Sequence, residues 1–242
     1  MIRISGKDVF TELDELVEPA HTALLLVDMQ RDFVEPDGAF GSLGVDLSMY
    51  VRMRPVLQKL TCAARSAGVL IIHIQNTTLP ERTSDSPAQI RFNLRMHEQA
   101  RAGGPPLQYT VRGTAGHEII EELTPQSGEL VVPKHRSSAF WGTDLELLLR
   151  SNGIKTVVMT GCTTEGCVES TARDAMFTDH YVVIAEDCVA SDDLAQHNAS
   201  MLLMEHRFDM ALSATISNIW ASSRGENDGL SRRSSGQAAD VT

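Results

Sequence analysis

The stretch "KTVVMTGCTTEGCVESTARDA" (155–175) changes character twice. Thr156 to Thr160 are β-branched or apolar at successive positions, the pattern of a strand covered on both faces. "GCTTEG" (161–166) places two glycines around small polar residues and reads as a turn. After it, Val168, Ala172, Ala175 and Met176 recur at helical spacing. Two of the four cysteines, Cys162 and Cys167, sit in or beside the turn. The residues alone leave them open as cystines, metal ligands, core filler or a nucleophile.

Outward from this stretch the same alternation repeats. "TALLLVD" (22–28), "GVLIIHIQ" (68–75), "ELVVPK" (129–134) and "YVVIAED" (181–187) read as further buried strands, and "FDMALSAT" (208–215) as a sixth at an edge. Helical periodicity lies between them. Residues 56–66 carry Leu57, Leu60 and Ala64 on one face and stop at Gly68. "GTDLELLLRSNG" (142–153) has an apolar stripe of Leu145, Leu148 and Leu149, a Thr143/Glu146 capping box and a stop at Gly153. Residues 193–206 give another helix. Strand–helix alternation implies right-handed crossovers, hence a three-layer α/β/α sandwich on a mostly parallel, doubly wound sheet of about six strands. The division expected is an N-terminal extension (1–20), one α/β domain (21–220) and a polar, flexible tail (221–242). Residues 77–114 interrupt the domain and are long enough for a substrate loop.

Bulk properties exclude several classes. Of 242 residues, 42% are hydrophobic and 22% charged, which suits a soluble domain with a full core. A formal net charge of −11 argues against sequence-independent nucleic-acid binding. No apolar run approaches the ~20 residues of a membrane span. The N-terminus lacks the basic-then-apolar order of a signal peptide, so a cytoplasmic protein is expected. Cys62, Cys162, Cys167 and Cys188 form no C-x-x-C pair. Disulfides and structural zinc are therefore not expected, and free thiols are.

In open α/β sheets ligands bind beyond the carboxyl ends of the strands. That rule selects Asp28 after the first strand, Lys134 at the end of the third and Cys167 after the fourth. Each has a bland reading: Asp28 capping a loop or pairing with Arg31, Lys134 a solvated amine, Cys167 filler in a helix turn. Together they suit nucleophilic chemistry. A helix start and a nearby ammonium lower a thiol's pKa from its usual ~8.5. A carboxylate can take the thiol proton and return it to a leaving amine.

"LLLVDMQRDF" (24–33), "VVPKHRSSAFWGTDLELLL" (131–149) and "VVMTGCTTEGCVESTARDA" (157–175) resemble the three signature segments of the isochorismatase-like cysteine hydrolases. The resemblance covers roughly residues 20–76 and 116–219. It implies Asp28 as catalytic acid/base, Lys134 as catalytic lysine and Cys167 as nucleophile. It also implies a non-proline cis peptide at Cys162–Thr163 and an oxyanion hole from the N–H groups of Thr163 and Cys167. Phe33 and Trp141 match positions that line the family's pocket, and Gln30 a supporting one. Cys162 is then a passenger in the turn, its thiol dispensable. Arg91, with Arg95 and Arg112, is a candidate for a substrate carboxylate, against the plainer reading of surface charge.

Two departures refine this. Nicotinamidases of the superfamily carry an Asp/His metal site where this chain reads "HIQNTTLPER" (73–82), so no metal and no cofactor is expected, and His73 is read as a packing residue. Isochorismatases, which cleave a vinyl ether, lack the cysteine, so Cys167 points to the amidase branch. Glu165 stands where relatives are often small, Asp or Asn; it could raise the thiol pKa or face solvent. The segments resemble most the ureidoacrylate, biuret and N-carbamoylsarcosine amidohydrolases. The expected partners are a small amide or ureide substrate and further copies of the chain in a homo-oligomer, not nucleic acid or a membrane. The alternatives are a catalytically silent scaffold of the same fold and a vinyl-ether hydrolase.

Overall fold

The structure, a computed structural model, describes residues 1–96 and 107–223. A short antiparallel hairpin, β1 (Ile2–Ile4) and β2 (Lys7–Val9), lies ahead of the main sheet. The sheet is built from β3 (Thr22–Val27), β4 (Leu70–Asn76), β5 (Leu130–Lys134), β6 (Thr156–Cys162), β7 (Tyr181–Ala190) and β8 (Asp209–Ala211). Their order is β5-β4-β3-β6-β7-β8 and every pairing is parallel. The chain winds outward from β3 to one edge, then returns to β6 and winds to the other. The switch point, where a parallel sheet of this order opens a crevice, thus lies between the carboxyl ends of β3 and β6.

Period-two alternation divides the buried strand residues between two layers. Leu24, Leu26, Val158 and Val183 face one side, against Tyr50, Met53, Leu57, Leu60 and Ala64 of the Ser48–Ala67 helix and against Ile216 and Trp220 of a helix over 213–223. Ala23, Leu25, Val27, Val157, Met159 and Ile184 face the other. There they meet helices Leu145–Ser151, Glu169–Phe177 and Leu194–Glu205 through Leu149, Ala172, Ala175 and Met204. This is the expected three-layer sandwich. Each fully buried aliphatic side chain contributes about 1.5–3 kcal/mol to it. All six residues of β3 are buried, which fixes the strand that ends in Asp28.

Gly161 is a sequence requirement of the switch point. Its φ is 103°, and a Cβ there would lie 2.0 Å from the Val27 carbonyl oxygen. Only glycine lets β6 approach β3 this closely just before the turn.

Several local expectations are corrected. The helix expected at 56–66 begins at Ser48, with Pro55 inside it, and ends as expected at Gly68 (φ 75°). The Thr143/Glu146 capping box does not form. Glu146 pairs with Arg150 one turn on, at 2.9 Å, and the Thr143 hydroxyl accepts from the Leu145 N–H. The edge strand expected at 208–215 stops at Ala211. Asp187 accepts both the N–H and the hydroxyl of Ser213, each at 2.8 Å, and turns the chain into the last helix. Residues 221–223 continue that helix, and the rest of the tail, 224–242, lies outside the described residues. Among the described residues no helix is long and apolar enough to cross a membrane.

Candidate active site

Asp28 follows β3 directly. Its φ of 54° is a conformation that Asp tolerates better than most residues. The backbone there is pinned: its N–H donates to Ile74 O at 2.9 Å, and its carbonyl accepts the Gln30 N–H at 2.8 Å. The side chain is 1% exposed. Arg31 pairs with Asp37 instead, so the carboxylate is left for another cation.

That cation is Lys134, the last residue of β5 and wholly buried. Its Nζ lies 2.8 Å from Asp28 Oδ2, 3.0 Å from Cys167 Sγ and 3.1 Å from the Arg136 carbonyl oxygen. An ammonium has three N–H donors, and here it has three acceptors. Cys167 lies in a π turn, Thr164–Val168, that joins β6 to the Glu169–Phe177 helix. Such turns are often found at functional sites. The Cys162–Thr163 peptide is cis. The Thr163 carbonyl accepts the N–H groups of Gly166 and Val168; the Cys167 N–H between them is not part of that closure. The Thr171 hydroxyl donates to the Cys167 carbonyl at 2.7 Å and accepts the Ala139 N–H at 3.0 Å, tying the turn to the loop after β5.

These groups form the floor of a cavity with about 750 Å³ of empty space, mouth included. Phe33, Phe40 and Tyr109 make one wall, their ring centroids 5.1–5.7 Å apart. Asn76, Gln89, Phe92, His135, Arg136, Glu165 and Asp192 supply most of the rest. Of the residues expected to bind substrate, Phe33 lines this cavity; Trp141 is 72% exposed and lines a neighbouring depression with Leu79, Ser84 and Arg136. Arg91 is exposed on the Pro87–Met96 helix and does not line the cavity; Gln89 and Phe92 of that helix do. Phe40, Asn76, Tyr109 and Asp192 were missed, for they reach the cavity from separate segments whose place is set by the fold. Their one sequence signal was position at or just past the end of a strand, which Asn76 and Asp192 share with Asp28.

Other readings resolve as well. Gln30 bridges the carbonyls of Asn76 and His117, a supporting role. His73 is 1% exposed and bonds Glu129, which also holds Arg65, so it belongs to the packing. The buried thiol of Cys162 donates to the Asp28 carbonyl at 3.3 Å. Among the described residues no three His, Cys, Asp or Glu side chains are grouped to hold a metal ion.

The electrostatics correct one expectation. Lys134 does not pull the thiol below its ordinary value. Burial, and then the Asp28 carboxylate, outweigh it and push Cys167 up to about 12. Burial likewise raises Asp28, against the pull of Lys134. Burial works against the Lys134 charge, but Asp28 and Cys167 hold the ammonium above its usual range. The resting site thus carries a thiol, a carboxylate that is a better base than usual, and an ammonium. Alkylation of Cys167 by iodoacetamide, followed by peptide mass spectrometry, should rise about tenfold per pH unit with no plateau below pH ~10, since the rate follows the thiolate fraction. A plateau near pH 8 would contradict this balance.

A doubly wound α/β fold with Cys, Lys and Asp gathered at its switch point is the architecture of a hydrolytic enzyme. The chain belongs to the isochorismatase family: the family's isochorismatase domain profile matches residues 22–216. It is 35% identical to ureidoacrylate amidohydrolase RutB of Enterobacter sp. (strain 638) over 186 residues, 75% of this chain and 81% of that one. In fold it is similar to a cysteine hydrolase from Pseudomonas syringae pv. phaseolicola 1448A (TM-score 0.73, 26% identity, 86% of this chain and 96% of that one). It is also similar to N-carbamoylsarcosine amidase from Thermoplasma acidophilum (TM-score 0.61, 26% identity, 80% and 96%).

Proposed function

We propose that the protein is a cysteine amidohydrolase that cleaves the C–N bond of a small linear amide of the ureide or N-carbamoyl class and releases ammonia. One observation carries the reading: a single buried ammonium touches both a carboxylate and a thiol, 2.8 and 3.0 Å away, at the floor of a cavity. The names of the similar amidohydrolases support the substrate class.

In this mechanism Asp28 takes the Cys167 proton as sulfur attacks the planar carbonyl carbon. The thiol's high resting pKa requires transfer and attack to proceed together, because free thiolate is scarce near neutral pH. The charge that develops on oxygen is held by the N–H groups of Thr163 and Cys167. Lys134 offsets the charge passing between sulfur and carboxylate. The tetrahedral adduct collapses, the C–N bond breaks and Asp28 returns its proton to the leaving nitrogen as ammonia. Asp28 then deprotonates a water that attacks the thioester, which restores the thiol and frees the acid. Phe33 contributes to the apolar wall, and the 77–114 segment, through Gln89, Phe92 and Tyr109, serves as the substrate loop.

Ammonia release from N-carbamoylsarcosine, biuret, ureidoacrylate, maleamate and nicotinamide, with and without a chelator, tests the class. The expected result is chelator-insensitive release from a ureide or N-carbamoyl compound, lost in Cys167→Ala. Release that survives in Cys167→Ala would overturn the reading.

A further inference from the structure

The order of strands gives the cavity two unlike ends. Arg136 follows β5 and Asp192 follows β7, with β4, β3 and β6 between them. Four spacings of ~4.8 Å separate those strands by roughly 19 Å along the sheet edge. The nucleophile turn and Asp28 lie between. At the β5 end Arg136 bonds the carbonyl oxygens of Ser84 and His135 and has no carboxylate partner among the described residues. At the β7 end stand two carboxyl groups, Glu165 and Asp192, neither in an ion pair among the described residues.

One buried polar atom at that acidic end lacks a partner: Glu165 Oε2 has no hydrogen bond among the described residues. Buried polar atoms are nearly always satisfied, so an acceptor left open beside a cavity wants a hydrogen-bond donor. A carboxylate guest would meet like charge and a further acceptor. A guest rich in N–H groups would satisfy Glu165 and face Asp192 favourably. Burial holds the Glu165 carboxyl above its usual range, against help from the Thr163 and Ser191 hydroxyls and with the Asp192 charge adding to the rise. A donor that arrives there therefore relieves an existing strain in charge.

We propose that the β7 end of the cavity is a subsite for a cationic or N–H-rich group, so that the substrate is an amide or ureide bearing an ammonium or similar nitrogen function at the end remote from the scissile bond. Glu165 and Asp192 are its specificity-determining residues. The inference rests on the proposed function only in taking this cavity as the substrate site.

The test is calorimetric titration of Cys167→Ala protein with three matched probes: N-(2-aminoethyl)urea, N-(2-hydroxyethyl)urea and N-carbamoylglycine. The ammonium probe should bind at least about tenfold tighter than the uncharged hydroxyethyl probe, a gap set by the charge at that end. Asp192→Asn, at the exposed rim where folding is safe, should narrow the gap, and Asp192→Asn with Glu165→Gln should reduce it to about twofold. Equal or tighter binding of the hydroxyethyl probe, no detectable binding of the ammonium probe, or a gap unchanged in the double variant would overturn the proposal. Hydrolysis of the probes by wild type is read separately. A protein that binds the ammonium probe through Asp192 yet hydrolyses none of the three keeps this subsite and loses the proposed function.

Discussion

Asp28→Asn should abolish turnover and also cost the fold about 3–5 kcal/mol, the penalty for leaving a buried charge without its partner. Lys134 is wholly buried and Asp28 is its one ion-pair partner among the described residues. Asn keeps the volume but removes the opposing charge. At about 2–4 °C per kcal/mol for a chain of this size, the melting temperature should fall by roughly 10 °C. The pH dependence has a definite sign. Without Asp28, burial lowers the Lys134 pKa below the ordinary 10.5, so the unfolded chain binds the proton more tightly than the fold does. The deficit is then greatest at neutral pH and shrinks as pH rises toward 10. Melting curves of both proteins between pH 7 and 10 check this. An Asp28→Asn protein as stable as wild type at pH 7 would mean that Lys134 is not held as an ion.

Cys167→Ala should separate chemistry from stability. If sulfur is the nucleophile, kcat should fall by roughly 10⁴- to 10⁶-fold, the scale seen when an attacking group is removed. Stability should fall by no more than about 1–3 kcal/mol, because the change removes one acceptor of the buried Lys134 ammonium at a cavity wall but leaves the Asp28–Lys134 pair intact. Steady-state ammonia release and thermal melts measure the two effects. A large loss of stability with modest loss of rate would make Cys167 a packing residue, the bland reading open to it from the start.

The central layer was legible because it obeys a simple rule. Runs such as "TALLLV" and "TVVMTG" are buried on both faces, and the polar residue that ends each run must lie at the sheet's carboxyl edge. That placed Asp28, Lys134 and Cys167 together before any coordinates. The pocket wall was less legible. Tyr109 meets Phe33 and Phe40 across a long separation in sequence, and no local pattern encodes those contacts. Trp141 lines an adjoining depression, a place set by how the loop after β5 turns, which the sequence does not encode. The capping box failed because Glu146 had a nearer partner in Arg150, a competition that spacing cannot rank. The thiol's pKa was misjudged for a related reason. Its sign depends on whether burial and a carboxylate outweigh an ammonium at similar range, and sequence gives no distances.

The most direct test of the account is intact-mass spectrometry of the wild-type protein, acid-quenched during turnover of whichever ureide or N-carbamoyl compound releases ammonia. The account predicts a transient species heavier by the substrate mass less ammonia, mapped by peptide analysis to Cys167 and missing in Cys167→Ala. Continued turnover with no adduct on Cys167, or an adduct on Cys162 instead, would contradict it.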